Sequence, residues 1–234
     1  MKSVFKDFAI TGTVTPRRLV VDVAKCDECH NVLSLHGANR NNETGVCVIC
    51  HNPNATDASR RPTAAGVLTG GVDGKLEESI DFKRMIHAIH AGQADKGGFR
   101  TKGLVVYGFG GSVNDFSSVV FPGVLSNCNT CHVNNSYQLT GRWAAPKANG
   151  ILGSTISTGA SATDPADNVR ITPTAAVCSS CHDSSATAAH IVNPFGFPGG
   201  SFTDTNGAAP EEGCSPLCHG PGGVRDISVV HRVK

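Results

Sequence analysis

The ten cysteines of this 234-residue chain form five close pairs, and a histidine directly follows the second cysteine of each pair. Four pairs have the spacing C-x-x-C-H, which is the attachment signal of c-type haem. Two thiols at this spacing can emerge from one turn and reach both vinyl groups of a porphyrin, and the next imidazole then lies under the ring and bonds to iron. We therefore predict five covalently bound c-type haems. The attaching cysteines are Cys26, Cys29, Cys47, Cys50, Cys128, Cys131, Cys178, Cys181, Cys214 and Cys218, and the motif histidines are His30, His51, His132, His182 and His219.

Three other uses of paired cysteines are disulfides, zinc knuckles and redox dithiols. None of them requires a histidine directly after the second thiol. The fifth motif departs from the others because Ser, Pro and Leu separate Cys214 from Cys218, which gives C-x-x-x-C-H. Such a variant can still attach haem, and a Cys214–Cys218 disulfide is its alternative interpretation.

The number of histidines predicts the second axial ligand of each iron. Beyond the five motif histidines, five more remain: His36, His87, His90, His190 and His231. Methionine ligation cannot be general, since the chain has only Met1 and Met85. We predict that the remaining histidines are the distal ligands, against the alternative of ordinary surface histidines. Bis-histidine iron passes electrons and leaves no open position for a substrate.

The composition predicts a thin side-chain core. Leu, Ile, Val and Phe account for 54 of the 234 residues, and the chain contains 27 glycines and 12 prolines. We therefore expect a mostly irregular multihaem cytochrome domain with short helices and few strands, whose core is built from stacked haems. The net charge of +1 argues against a nucleic-acid partner. No apolar run reaches 18 residues, so no transmembrane segment is expected.

The attachment motifs divide the chain into an N-terminal β-strand arm, residues 1–23, and a pentahaem domain, residues 24–234. Within the arm, residues 17–23 are rich in valine and predict a strand. Residues 103–123 alternate apolar residues with glycine and predict an irregular hairpin or a loop that covers haem faces. Residues 144–170 and 194–213 are rich in small and polar residues and predict loops.

Two helices are predicted around the candidate ligands. Residues 81–92 predict a helix, because their apolar side chains recur every three or four residues and the segment ends in a glycine, which commonly follows the last turn of a helix. His87 and His90 lie three positions apart on it, so this helix can serve two different haems. A second helix should begin at Thr172-Pro173 and carry the fourth motif.

The ordered set of motifs resembles the C-terminal pentahaem domain of the OmcA/MtrC family of decahaem outer-membrane cytochromes. The resemblance covers residues 17–234, and its matching stretches are 18–30, 33–37, 47–54, 81–92, 109–111, 121–123, 128–132, 173–182, His190, 214–219 and His231. It implies a location outside the cell, and transfer of respiratory electrons to iron or manganese oxides, flavins or other multihaem cytochromes. It also implies that residues 1–23 are the last strands of a preceding β-barrel domain, and that Thr172-Pro173-Thr174 could contact an oxide surface. The chain differs from the family in having five haem motifs where the family has ten, and in its fifth motif.

Three further functions are alternatives to an extracellular electron conduit. A multihaem enzyme such as a nitrite reductase needs an open iron site, and no C-x-x-C-K motif or shortage of histidine indicates one. A polymerising cytochrome wire would join copies through haem ends or through residues 1–23. A periplasmic pentahaem donor to a reductase would share the chemistry and differ in location.

Overall fold

The computed structural model describes residues 1–14, 16–138, 151–161, 163–192, 214 and 218–234. Within these ranges the regular elements are short and are separated by turns. The α-helices are α1 (Val23–His30), α2 (Thr44–Cys50), α3 (Phe82–Ala91), α4 (Pro173–Cys181), α5 (Ser185–Val192) and α6 (Ile227–Val230). The strands are β1 (Ser34–Leu35), β2 (Arg40–Asn41), β3 (Thr63–Ala64), β4 (Val67–Leu68), β5 (Val105–Tyr107), β6 (Val113–Asp115), β7 (Ser154–Ser157) and β8 (Val169–Ile171).

The strands form four separate two-stranded antiparallel sheets: β1 with β2, β3 with β4, β5 with β6, and β7 with β8. The predicted fold class is therefore confirmed in its coarse form, as few short helices and few short strands. The stacked-haem core stays a prediction.

The side-chain core is small, as the composition predicts, and lies around the packing of α3 on α4. Both helices turn alanines inward, including Ala88, Ala91 and Ala176, each at most 1% exposed. Small residues let two helix backbones approach closely. Ile171 and Ile191 extend the apolar cluster beside α4.

Both predicted helices are confirmed. The first is α3, which has Asp81 at its N-cap and Gly92 at its C-cap with φ of +53°, a backbone conformation that favours glycine. The second is α4, which begins at Pro173 with Thr172 at the N-cap. Thr172 is only 3% exposed and Pro173 is also buried. The Thr172 hydroxyl makes no capping hydrogen bond, and the burial of both residues argues against their contact with an external oxide surface.

The predicted hairpin at 103–123 is confirmed by the pairing of β5 with β6. The loop prediction for 144–170 is wrong in part, because β7 pairs with β8 around a bulge. Neither four-residue β7 nor three-residue β8 is long enough to give a clear periodic signal, and each is stabilised by its partner. Residues 144–150 and 194–213 lie outside the described residues.

The predicted strand at 17–23 is wrong. Only Val21 makes a β-bridge, to His132, and the Val133 N–H donates to the Val20 carbonyl. A valine-rich segment becomes a strand only when a partner runs alongside it, and here the contact ends after one bridge. Closer to the start of the chain, the Ser3 N–H donates to the Asn41 carbonyl, and the Phe5 ring fills the space where a side chain at Gly45 would lie.

Candidate functional site

The ten histidines come together in five ring pairs, each joining one motif histidine to one of the remaining histidines. The ring centres are 6.0 Å apart in His30–His90 and His36–His51, and 6.1 Å apart in His87–His132, His182–His231 and His190–His219. Imidazole nitrogen bonds to a metal at about 2 Å, so two imidazoles on opposite sides of one ion have ring centres about 6 Å apart. The spacing therefore fits one metal ion between each two rings.

Hydrogen bonds orient six of these rings. The Nδ1 atoms of His51, His90 and His231 lie 2.9 Å from the carbonyls of Ile80, Ile86 and Ile227, and those of His87 and His219 lie 2.5 and 3.1 Å from the carbonyls of Lys83 and Arg225. A carbonyl only accepts hydrogen bonds, so Nδ1 carries the proton in each case. The lone pair is then on Nε2, which is the atom free to bond to a metal.

His132 reaches the same tautomer through a hydroxyl. Its Nδ1 lies 3.0 Å from Ser136 Oγ, and that hydroxyl donates its own hydrogen to the Val20 carbonyl at 2.5 Å. Since the hydroxyl hydrogen is already used, Oγ accepts from Nδ1–H. Ser136 was not predicted from the sequence, because no spacing rule connects it with His132.

The attachment motifs share one backbone turn. The N–H groups of His51, His132 and His182 each donate to the carbonyl of the first cysteine of their motif at 2.9 Å, four residues earlier. This turn brings both thiols of a motif close to its histidine. The ten cysteines form no disulfides with one another in this structure, and Cys214 is not bonded to Cys218.

The fifth motif keeps this hydrogen bond despite its extra residue. The His219 N–H donates to the Cys214 carbonyl at 3.0 Å, now five residues earlier. A wider turn of the π type accommodates one additional residue in this way. The local geometry of the motif histidine is therefore retained, while residues 215–217 lie outside the described part of the chain.

His190 and His219 line a cavity of about 680 Å³. Its other lining residues are Cys218, Val224, Arg225 and Val230. The cavity thus combines two imidazoles and a thiol with apolar walls, and its volume is typical of cofactor sites, about 300–1,000 Å³.

Helix α3 is next to four of the five motifs. His87 faces His132 of the third motif, and His90 faces His30 of the first. The Phe82 N–H donates to the carbonyl of His51 in the second motif at 3.0 Å. In the fourth motif, Cys181 Sγ lies 3.9 Å from the His87 carbonyl. Helix α3 therefore places His87 and His90 beside the histidines of two different motifs.

The environment of His87 and His132 favours the neutral imidazole. Burial, together with nearby His87, Arg18 and Lys25, lowers the pKa of His132 to about 4. Burial likewise lowers the pKa of His87. A neutral imidazole is the form that binds a metal.

Three cations contact the residues between the cysteines of two motifs. Lys25 Nζ donates to the Asn129 carbonyl at 2.5 Å, Arg84 Nη1 donates to Ser179 Oγ at 2.7 Å, and Arg100 Nη1 donates to the Ser180 carbonyl. These cations were not predicted from the sequence, because each is distant along the chain from the motif that it contacts.

Comparison with known proteins identifies the class and the family. The profile of the family described as "Outer membrane cytochrome MtrC/MtrF-like, domains II/IV" matches residues 18–232. The chain is therefore an outer-membrane-type multihaem cytochrome, an electron-transfer protein rather than a classical enzyme. It belongs to the MtrC/MtrF-like family, in the part that forms domains II and IV of those proteins. The sequence matches none of the curated proteins with which it was compared.

The match confirms the predicted family, while the assignment to the C-terminal domain in particular stays a prediction. Membership implies c-type haem and an association with the outer membrane or cell surface. In the part of the chain that the structure describes, no helix is long and apolar enough to cross a membrane.

Proposed function

We propose that this protein binds five c-type haems, each with two axial histidines, and carries electrons between redox partners at the outer surface of the cell. The observation that supports this most strongly is the ring pairing. Each of the ten histidines belongs to one pair, which joins a motif histidine to one of the five other histidines with ring centres 6.0–6.1 Å apart. If the histidines were close together for another reason, there would be no cause for every pair to contain one motif histidine and one other histidine.

The proposed ligand sets follow from the ring pairs and the cysteine motifs. They are Cys26, Cys29, His30 and His90; Cys47, Cys50, His51 and His36; Cys128, Cys131, His132 and His87; Cys178, Cys181, His182 and His231; and Cys214, Cys218, His219 and His190. The protonated Nδ1 atoms support this assignment, because they leave Nε2 available for iron.

Bound haem supplies a one-electron iron couple within a conjugated ring. The protein's part is to hold neighbouring sites close together and in fixed orientation. His87 and His90 connect the third and first sites through one helix, and the contact of Cys181 with the His87 carbonyl joins the fourth site to the third. The fifth site lies next to the fourth. The Arg225 N–H donates to the carbonyl of Cys218 in the fifth site. Helix α6 begins two residues after Arg225 and is followed by His231, which belongs to the fourth site.

Electron transfer is favoured over enzymatic turnover because two imidazoles would hold each proposed iron and would leave no open position for a substrate. A multihaem reductase needs at least one iron that a substrate can reach. The family membership supports the same choice. Other multihaem cytochromes are the proposed partners, with flavins and iron or manganese oxides as further acceptors.

The test is to express the exported protein in a host that attaches c-type haem and to determine its mass under denaturing conditions. We expect an increase corresponding to five haems, and a wholly low-spin spectrum when the protein is oxidised. The reduced protein should bind carbon monoxide poorly. A smaller number of haems, or a stoichiometric high-spin signal, would overturn the proposal.

A further inference from the structure

Two buried arginines hold the fourth attachment motif, residues 178–182, against α3. Arg84 Nη1 donates to Ser179 Oγ at 2.7 Å and to the Ala176 carbonyl at 3.4 Å. Arg100, only 2% exposed, donates through Nη1 to the Ser180 carbonyl. Ser179 and Ser180 are the two residues between Cys178 and Cys181, so both guanidinium groups end inside the motif.

The acidic partners of these arginines are held mainly by other donors. Asp183 lies 3.6 Å from Arg100 Nη2 and accepts hydrogen bonds from the N–H groups of Thr101 and Lys102 at 2.7 and 3.2 Å. Glu78 lies 3.7 Å from Arg84 Nε and bonds to Lys75 Nζ. The arginines are therefore bonded closely to the motif and only loosely to the carboxylates.

The two positive charges lie where water screens them little. The side chain of Arg84 is 14% exposed and that of Arg100 is 2% exposed. Burial lowers the pKa of Arg84 against the opposing pull of Glu78, and the neighbouring charge of Arg100 lowers it further. A charge in a poorly solvated position acts over a longer distance than one on the surface.

We propose that Arg84 and Arg100 are positioning residues that fix the fourth motif on α3 and, through their buried charges, raise the reduction potential of the haem attached there. This inference depends on the proposed function, since it requires a haem bound by Cys178, Cys181 and His182. Oxidised bis-histidine iron carries one more positive charge than reduced iron, so nearby cations favour the reduced state. A family motif does not predict this effect, because neither arginine lies within a haem motif.

The test is potentiometric titration of the five-haem protein with Arg84→Met, Arg84→Lys and Glu78→Gln variants. We expect Arg84→Met to lower the potential of one transition, and Arg84→Lys, which keeps the charge, to lower it less. Glu78→Gln removes the opposing negative charge and should raise the potential of the same transition. A His231→Met variant identifies that transition, because methionine ligation raises the potential of its haem. Arg60→Met, which changes an exposed arginine, is the matched control.

Equal shifts in Arg84→Met and Arg84→Lys would show that geometry and not charge is responsible, and would overturn the inference. An unchanged potential in Glu78→Gln would also overturn it, and that variant remains informative if Arg84→Met fails to fold. Mass spectrometry separates this result from a failure of the proposed function. Five attached haems with unchanged potentials refute only the inference, whereas fewer than five in the unmodified protein refute the function.

Discussion

The imidazole rings of His87 and His132 lie 6.1 Å apart at an interplanar angle of 28°, and each ring is hydrogen-bonded at Nδ1. One turn later on the same helix, the ring of His90 lies 6.0 Å from that of His30, at an interplanar angle of 83°. Helix α3 therefore presents two imidazoles to two different motifs.

His87→Ala and His90→Ala should each convert one haem to high-spin, and the two variants should affect different haems. The reason is that each substitution removes one axial ligand, while the other ring pair stays intact. Electron paramagnetic resonance of the oxidised protein and carbon monoxide binding to the reduced protein measure this. Met85→Leu on the same helix is the control and should stay low-spin. If both histidine variants changed the same haem, the two-site role of α3 would be refuted.

Ser136→Ala should raise the reduction potential of the haem proposed at His132. The hydroxyl accepts the Nδ1–H of His132, which makes the imidazole a stronger donor and favours oxidised iron. Without that acceptor, the reduced state gains relative stability. Redox titration of the variant beside Ser112→Ala, an exposed serine in the β5–β6 hairpin, tests this. A fall in potential, or identical behaviour of the two variants, would contradict the expectation.

Cys214→Ala should leave the fifth haem covalently attached through Cys218 alone. His219 keeps its contact with His190, and its N–H donates to the backbone carbonyl of residue 214, which the substitution preserves. Denaturing mass spectrometry should therefore still show five haems, with an altered absorption band for the singly attached one. Loss of this haem would show that the first thiol is required in the longer motif.

Arg61→Met should destabilise the folded protein by about 3–5 kcal/mol, the usual cost of breaking a buried ion pair. Arg61 donates to Asp57 at 2.9 Å and to Asp73 at 2.6 Å, and the side chains of Arg61 and Asp57 are fully buried. Removing the guanidinium leaves two carboxylates uncompensated. Denaturant unfolding of the haem-loaded protein measures the loss, with Arg60→Met as the exposed control. A change below about 1 kcal/mol, typical of a surface ion pair, would contradict the expectation.

The ion pairs of Arg61 with Asp57 and Asp73 also predict that the stability of the fold depends on pH in acid. Burial by itself raises the pKa of Asp73, but the hydrogen bonds and charge of Arg61 outweigh it, so the pKa lies below the ordinary value of 3.8. A carboxyl group with a lowered pKa stabilises the fold when the pH is above the pKa of the unfolded state. This contribution is lost as the pH falls through the folded-state pKa. Asp73→Asn should therefore weaken the fall in stability with acid below pH 4. If the free energy of unfolding of the variant fell with pH as it does in the unmodified protein, other carboxylates would be responsible and the expectation would be wrong.

Folding should depend on haem attachment. The largest fully buried aliphatic side chains among the described residues are Leu104 and Ile171, a small core for a chain of 234 residues. Haem faces and thioether bonds are therefore expected to supply much of the missing stabilisation. The test is protease mapping of the haem-free chain made without export. The Cys26→Ala, Cys29→Ala double variant, which removes both thiols of the first motif, tests the same dependence for the N-terminal segment alone. A compact, protease-resistant apoprotein would contradict this account.

Much of the site could be read from the chain because its information is local. The five motifs and helix α3 depend on spacings of three to five residues, which the sequence displays directly, and the five remaining histidines follow from the histidine count. The strand at 17–23 and the loop at 144–170 were predicted less well, since a strand depends on a partner elsewhere in the chain. Val21 makes only a single bridge, whereas β7 pairs with β8.

By itself the sequence determined the predicted chemistry of this protein: five attachment motifs, an equal number of additional histidines and too few large apolar residues for an ordinary core. Only the tertiary structure decided which histidine faces which motif, how the fifth motif accommodates its extra residue, and that Arg84 and Arg100 end inside the fourth motif. Thiol and imidazole spacing within one turn is a property of the local backbone. Contacts between distant segments depend instead on how α3 packs against α4, which no short stretch of sequence specifies.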